Sequence, residues 1–139
     1  AVFREFLQIK PDLHVAGQVR NGTTKGIDEN ALAAYNAPFP DDDHKQGVRQ
    51  FPNLVPGTTR TPSAEPNKEA WKILREWKKP FLCAFSDKDP IFSGVENSFY
   101  KLIPGCKDMP HVTIENAGHF LQEDQPKACV EAILSIKDI

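Results

Sequence analysis

Two short apolar runs, each closed by a turn carrying an ionisable side chain, constrain this chain more than any other feature. The first is Phe81-Leu-Cys-Ala-Phe-Ser-Asp-Lys-Asp-Pro90, and about thirty residues later comes His111-Val-Thr-Ile-Glu-Asn-Ala-Gly-His-Phe120. Each run is the length of a buried strand and far too short to span a membrane. The turns put Asp89 and His119 just past the carboxyl ends of two strands, where open α/β sheets gather their ligand and catalytic groups.

Helical patterns surround the runs. Trp71, Leu74 and Trp77, with Ala70 and Ile73 beside them, recur at helical spacing over Glu69 to Lys78, and core packing is the preferred reading of the two tryptophans. Strands are expected at Pro80–Ser86 and His111–Glu115, with a short helix over Val95–Leu102 between them. A C-terminal helix should start at Pro126 and carry Val130, Ile133 and Leu134 as its apolar stripe. Alternation of helix and strand implies a parallel sheet with helices on its faces. Two strands cannot make a stable parallel sheet alone, so residues 67–139 read as the last part of a larger α/β domain. The opening Ala-Val-Phe-Arg, in place of Met, fits a piece of a longer protein.

Residues 1–66 differ in character and read as a lid-like helical segment. Asp28 to Tyr35 has an acidic start and an alanine-rich body, which favour a short helix. Asp41 to Gln50 should form another, interrupted by Phe51-Pro52, and Thr58 to Pro66 is a loop by composition.

Composition removes several function classes. With 17 Lys and Arg against 19 Asp and Glu, the net charge is −2 and carries no nucleic-acid signal. No apolar run marks a membrane protein. Cys83, Cys106 and Cys129 are far apart and lack metal-ligand spacing, so they read as reduced thiols of a cytoplasmic protein.

Asp89 competes with Asp87 for any catalytic part. Asp89-Pro90 falls at the turn apex, where a carboxylate can point across the top of the sheet, whereas Asp87 should face solvent. The ordinary role of either is to cap local amides in a turn. His119 follows Ala117-Gly118, and the glycine allows a tight turn, with positive φ if the chain needs it. A neutral imidazole there can take a proton from water, while a carboxylate on its other ring nitrogen fixes the tautomer. Asp89 is the natural partner. His14, His44 and His111 read as surface or structural.

An acid followed by a histidine, each after a strand, is also the order of the last two triad members in α/β-hydrolases. The segments Phe81–Ile91, Lys101-Leu-Ile-Pro-Gly105, His111–Glu115 and Ala117-Gly-His-Phe-Leu-Gln-Glu-Asp124 resemble the C-terminal part of haloalkane dehalogenases. Ala34-Tyr-Asn-Ala-Pro-Phe-Pro-Asp41 and Gly47-Val-Arg-Gln-Phe-Pro-Asn-Leu-Val-Pro56 resemble that family's cap, in the subgroup whose triad acid follows the penultimate strand. The resemblance covers nearly the whole chain. It implies the C-terminal portion of an α/β-hydrolase fold, with residues 1–66 in the helical cap and 67–139 in the core, as two parallel strands with flanking helices.

By the same resemblance, His119 is the general base and Asp89 its orienting acid. Phe51, Pro52, Val55, Ile91, Phe92 and Phe120 would line an apolar pocket for a small halogenated substrate and its departing halide. The reaction is hydrolysis of a carbon–halogen bond through a covalent alkyl-enzyme ester, with no metal or organic cofactor. The family's nucleophile is an aspartate on an elbow after an earlier strand; no Gly-x-[Asp/Ser]-x-Gly occurs here, so this chain alone should be inert and needs the N-terminal part of its own domain. The family's halide-donating cap tryptophan aligns near Phe3 or Arg4, neither of which has an indole N–H to donate. That departure keeps two other readings open: an epoxide hydrolase on the same scaffold, and a non-catalytic homologue.

Overall fold

The computed structural model describes residue 5 and residues 8–136. Two compact units divide the chain, Ala1–Val19 with Asp28–Trp71, and Arg20–Ile27 with Lys72–Ile139. The division falls between Trp71 and Lys72, and the short segment 20–27 belongs to the second unit.

The first unit is helical. Helix α1 spans Val15–Asn21 and α2 spans Glu29–Asn36. Asp28 caps α2, its side chain accepting from the Ala31 N–H at 2.8 Å, as an acidic residue before an alanine-rich run should. The Asn36 side chain accepts from the Ala16 N–H and so ties α2 to α1. A 3₁₀ turn at Asp43–Lys45 leads into α3, Gln46–Leu54. The expected break at Phe51-Pro52 does not occur. Pro52 removes one amide only two residues before the helix ends at Leu54, so little of the hydrogen-bond ladder is left to lose. Arg49, 8% exposed, fixes α3 by donating to the Lys10 carbonyl and to both carboxylate oxygens of Asp42.

Helix α4, Ala64–Leu74, starts earlier than composition suggested, because Pro66 falls in the first turn where no intrahelical N–H is required. It also ends earlier. Trp77 lies beyond it and is 38% exposed, its carbonyl accepting from the Gly105 N–H.

The second unit holds the sheet. Strand β1, Ala84–Ser86, pairs in parallel with β2, Val112–Ile114, in the register Ala84 to Val112 and Ser86 to Ile114. Both are shorter than their apolar runs. The Phe81 N–H bonds the Gly105 carbonyl and the Cys83 N–H bonds the His111 ring, so these amides are spent before the ladder begins. Helix α5, Glu96–Leu102, and a 3₁₀ turn at Pro104–Cys106 connect the strands. Phe99 of α5 meets the rings of Phe81 and Phe85 at about 6 Å.

Helices α6, Leu121–Asp124, and α7, Pro126–Ser135, follow β2. Ile114, Ala117 and Ala132 form the buried centre, with Leu82, Ala84, Val112, Leu121 and Ala128 packed around it. The packed face of α7 is thus the small-residue face, Ala128 and Ala132. The expected stripe of Val130, Ile133 and Leu134 is 47–64% exposed. Among the described residues, no helix is long and apolar enough to cross a membrane.

Candidate active site

The turns after β1 and β2 are stitched together by backbone bonds before any catalytic side chain is considered. The Asp87 N–H donates to the Ile114 carbonyl at 3.2 Å and the Lys88 N–H to the Ala117 carbonyl at 3.0 Å. Parallel pairing therefore continues past the strand ends and holds residues 87–89 beside residues 117–119.

Asp89 is 7% exposed. One carboxylate oxygen, Oδ1, accepts from the Ile91 N–H at 2.7 Å, closing the turn on itself. The other, Oδ2, lies 3.0 Å from His119 Nδ1. Burial pushes this carboxyl up, but the bonds from His119 and from the Ile91 N–H outweigh it, and Asp89 titrates below an ordinary aspartate. An ionised carboxylate only accepts, so His119 carries a hydrogen on Nδ1, and in the neutral ring the lone pair falls on Nε2. Such an imidazole can accept a proton at Nε2 while its charge is stabilised at Nδ1.

Apolar rings enclose that imidazole. Phe92 stacks on it at 5.4 Å between centroids and Phe120 meets it edge-on at 5.2 Å. The His119 side chain remains 29% exposed, so it is accessible without being immersed in solvent. Ile91 is exposed in the same turn as Phe92. Phe51, Pro52 and Val55 belong to the first unit, on α3 and at its exit, and the side chains of Phe51 and Val55 are exposed. Phe3 and Arg4, where the halide donor of the family aligns, lie outside the described residues.

Asp87 faces solvent and has a different task. Its Oδ1 accepts from the Ala117 N–H at 3.1 Å, and that bond, with a second from Asn116, lowers its pKa. It secures the turn that presents the histidine. His111 is also structural: its Nδ1 accepts from the Cys83 N–H, which leaves Nε2–H to donate to the Cys106 carbonyl at 2.9 Å. Cys83 is buried, and burial, reinforced by Cys106, pushes its thiol up to about 12, which leaves it no nucleophilic thiolate near neutral pH.

Two features escaped sequence reasoning. Gly118 does not supply the left-handed residue of its turn; Asn116 does, at φ 58°. Gly118 is needed for close approach instead, because a Cβ there would stand 2.5 Å from the Gly22 carbonyl oxygen. The second feature is Asp124, 4% exposed. It accepts from the Gly118 N–H at 2.8 Å and from the amides of Thr24 and Lys25 at 2.9–3.1 Å. Burial raises its pKa, and the amides of Gly118, Thr24 and Lys25 lower it further than burial raises it.

A cleft of about 180 Å³ is lined by Ser86, Asp87, Ser93, Glu96, Tyr100 and Thr113 among others. It includes neither Asp89 nor His119, and its polar walls suit an apolar chain poorly.

No family model matches the chain. A haloalkane dehalogenase from Psychrobacter cryohalolentis is 48% identical over 123 residues, which cover 88% of this chain and 41% of that protein. One from Mycolicibacterium paratuberculosis is 40% identical over 133 residues, covering 96% of this chain and 44% of the relative. Among solved structures, a tetrameric haloalkane dehalogenase from Paraglaciecola agarilytica superimposes with a TM-score of 0.84 at 27% identity, over 99% of this chain and 46% of that one. The chain spans less than half the length of these proteins. Over that span it has their α/β-hydrolase architecture, and the chain is homologous to the C-terminal part of haloalkane dehalogenases.

Proposed function

We propose that this chain supplies the water-activating half of a haloalkane dehalogenase, with His119 as general base and Asp89 as the acid that orients it. An aspartate outside this chain would displace halide from an alkyl carbon, forming an alkyl ester and releasing the halide ion. Water would then attack the ester carbonyl as His119 Nε2 takes its proton. The ester C–O bond breaks to give an alcohol and to restore the nucleophilic carboxylate; the proton leaves from His119. No step calls on a metal or organic cofactor.

The observation that carries this reading is the 3.0 Å contact between His119 Nδ1 and a buried Asp89 carboxylate, with Phe92 and Phe120 against the ring. Water activation needs a neutral imidazole with a fixed tautomer. Ester formation needs an apolar surround that does not solvate the attacking carboxylate. Phe92, Phe120 and Ile91 would provide part of that surround. We extend the proposal to Phe51, Pro52 and Val55 as further substrate contacts, on the family resemblance of the segment that holds them.

The test uses the full-length protein. Short bromoalkanes should give continuous halide release with one alcohol formed per halide. Absence of halide release together with opening of a simple epoxide would favour the epoxide hydrolase reading. Inertness toward both would favour a non-catalytic homologue.

A further inference from the structure

We propose that Asp124 is a positioning residue for His119, holding the backbone that presents the imidazole so that the ring stays in register with Asp89. The inference deepens the site just described and rests on His119 being its base.

Three successive residues approach the site, and each is held by a different aspartate. The Ala117 N–H bonds Asp87, the Gly118 N–H bonds Asp124, and the His119 ring bonds Asp89. Asp87 is exposed, whereas Asp124 is buried and the bond it receives from Gly118 is buried too. A buried carboxylate is stable only when its lone pairs are met. Here they are met by three amides, from Gly118, Thr24 and Lys25, with Thr24 reaching both oxygens.

The two sets of donors lie about a hundred residues apart, so Asp124 fastens the segment around Gly22–Lys25 to the histidine turn. Other bonds run alongside it. The Phe120 N–H donates to the Gly22 carbonyl at 3.1 Å, and Thr24 Oγ1 donates to the Asn116 carbonyl at 2.9 Å. Gly118 lies so close to Gly22 that no side chain fits between them. The Lys25 ammonium also donates to the Asp124 carbonyl at 3.1 Å, so His119 leaves a turn clamped on both sides, with the Asp124 carboxylate joining the Gly118 amide to those of Thr24 and Lys25.

Losing the charge while keeping the shape should loosen the presentation of the ring. Asp124→Asn retains one carbonyl oxygen but turns an NH₂ toward amides that are themselves donors. In the full-length enzyme, the halide released in the first turnover should stay near the unmutated level, since that step needs no base. Steady turnover should fall roughly 10- to 100-fold, the penalty of a displacement on the order of 1 Å. The His119 Nδ1–H proton resonance, which requires no substrate, should broaden or move toward the position of a solvent-exposed imidazole. Asp124→Glu keeps the charge and should show the same changes to a smaller extent, which provides the comparison if the Asn variant does not fold.

Equal loss of the first-turnover burst and of steady turnover, with an unchanged Nδ1–H resonance, would reduce Asp124 to a general stabiliser and overturn the proposal. If the unmutated enzyme releases no halide, the dehalogenase reading fails, and the Nδ1–H comparison still decides the role of Asp124.

Discussion

The turn after β1 and the turn after β2 do the same job by opposite means. The first is closed by its own residues: Asp89 accepts from the Ile91 N–H two positions later, and Pro90 stiffens the apex. The second is closed almost entirely from outside. Its amides go to Asp87, Asp124 and the Gly22 carbonyl, and its one left-handed residue is Asn116. Both turns share the bonds from the Asp87 and Lys88 amides to the Ile114 and Ala117 carbonyls, but Asp89 adds a bond inside its own turn, whereas the amides of the histidine turn are taken up by other segments. His119 should therefore respond more than Asp89 to changes made outside its own turn.

The largest expected effect comes from breaking the link between the two turns. Asp89→Asn keeps the shape but cannot stabilise an imidazolium and can favour the wrong tautomer. Hydrolysis of the alkyl ester should slow by roughly 10³- to 10⁴-fold, measured as steady halide release after the first turnover in the full-length protein. Unchanged steady release would mean that another carboxylate orients His119.

A matched pair of substitutions tests the asymmetry between the turns. Gly118→Ala forces a Cβ against the Gly22 carbonyl at 2.5 Å, where backbone must move. A loss of roughly 1–3 kcal/mol is expected from such overpacking. Pro90→Ala in the first turn should cost no more than about 1 kcal/mol, chiefly through a freer unfolded chain. Urea unfolding of the two full-length variants makes the comparison, and a larger loss from Pro90→Ala would contradict it.

How much of this was legible in the sequence follows the same division. Asp89, Pro90 and the strand before them form a contiguous signal, and so do Asp28 and the helix it caps. His119 could be picked out by its place after an apolar run. What holds it could not, because Thr24 and Lys25 lie about a hundred residues from Asp124, and sequence spacing carries no trace of a contact at that range. Helix α3 passed through Pro52 because the helix ends only two residues later, at Leu54, an end point that the local composition did not mark. The α7 stripe misled because hydrophobicity marked Val130, Ile133 and Leu134, while tight packing chose Ala128 and Ala132. Resemblance to a family reached further than local pattern, since it carries long-range geometry that periodicity lacks.

The mildest change is expected from pH. Asp87, Asp89 and Asp124 all titrate below the ordinary aspartate value. A carboxyl depressed on folding contributes stability that is complete above its unfolded pKa, about 3.9. That contribution disappears as pH falls through the folded value. Unfolding midpoints should therefore be flat from pH 7 to about 5 and decline below about pH 4. Asp124→Asn should flatten that decline, because one of the four depressed aspartates, Asp41, Asp87, Asp89 and Asp124, no longer titrates. A decline of unchanged slope in that variant would remove Asp124 from the linkage.

The account's central claim is that His119, held by Asp89, activates water against an ester whose formation needs no base. His119→Ala in the full-length enzyme tests it most directly, with 1,2-dibromoethane as substrate and intact-protein mass as the readout. The account predicts about one halide released per active site, followed by a stall, with the protein heavier by one bromoethyl group. Loss of the base should slow the second step by roughly 10²- to 10⁴-fold. Continuous multiple turnover with no accumulated mass would contradict it.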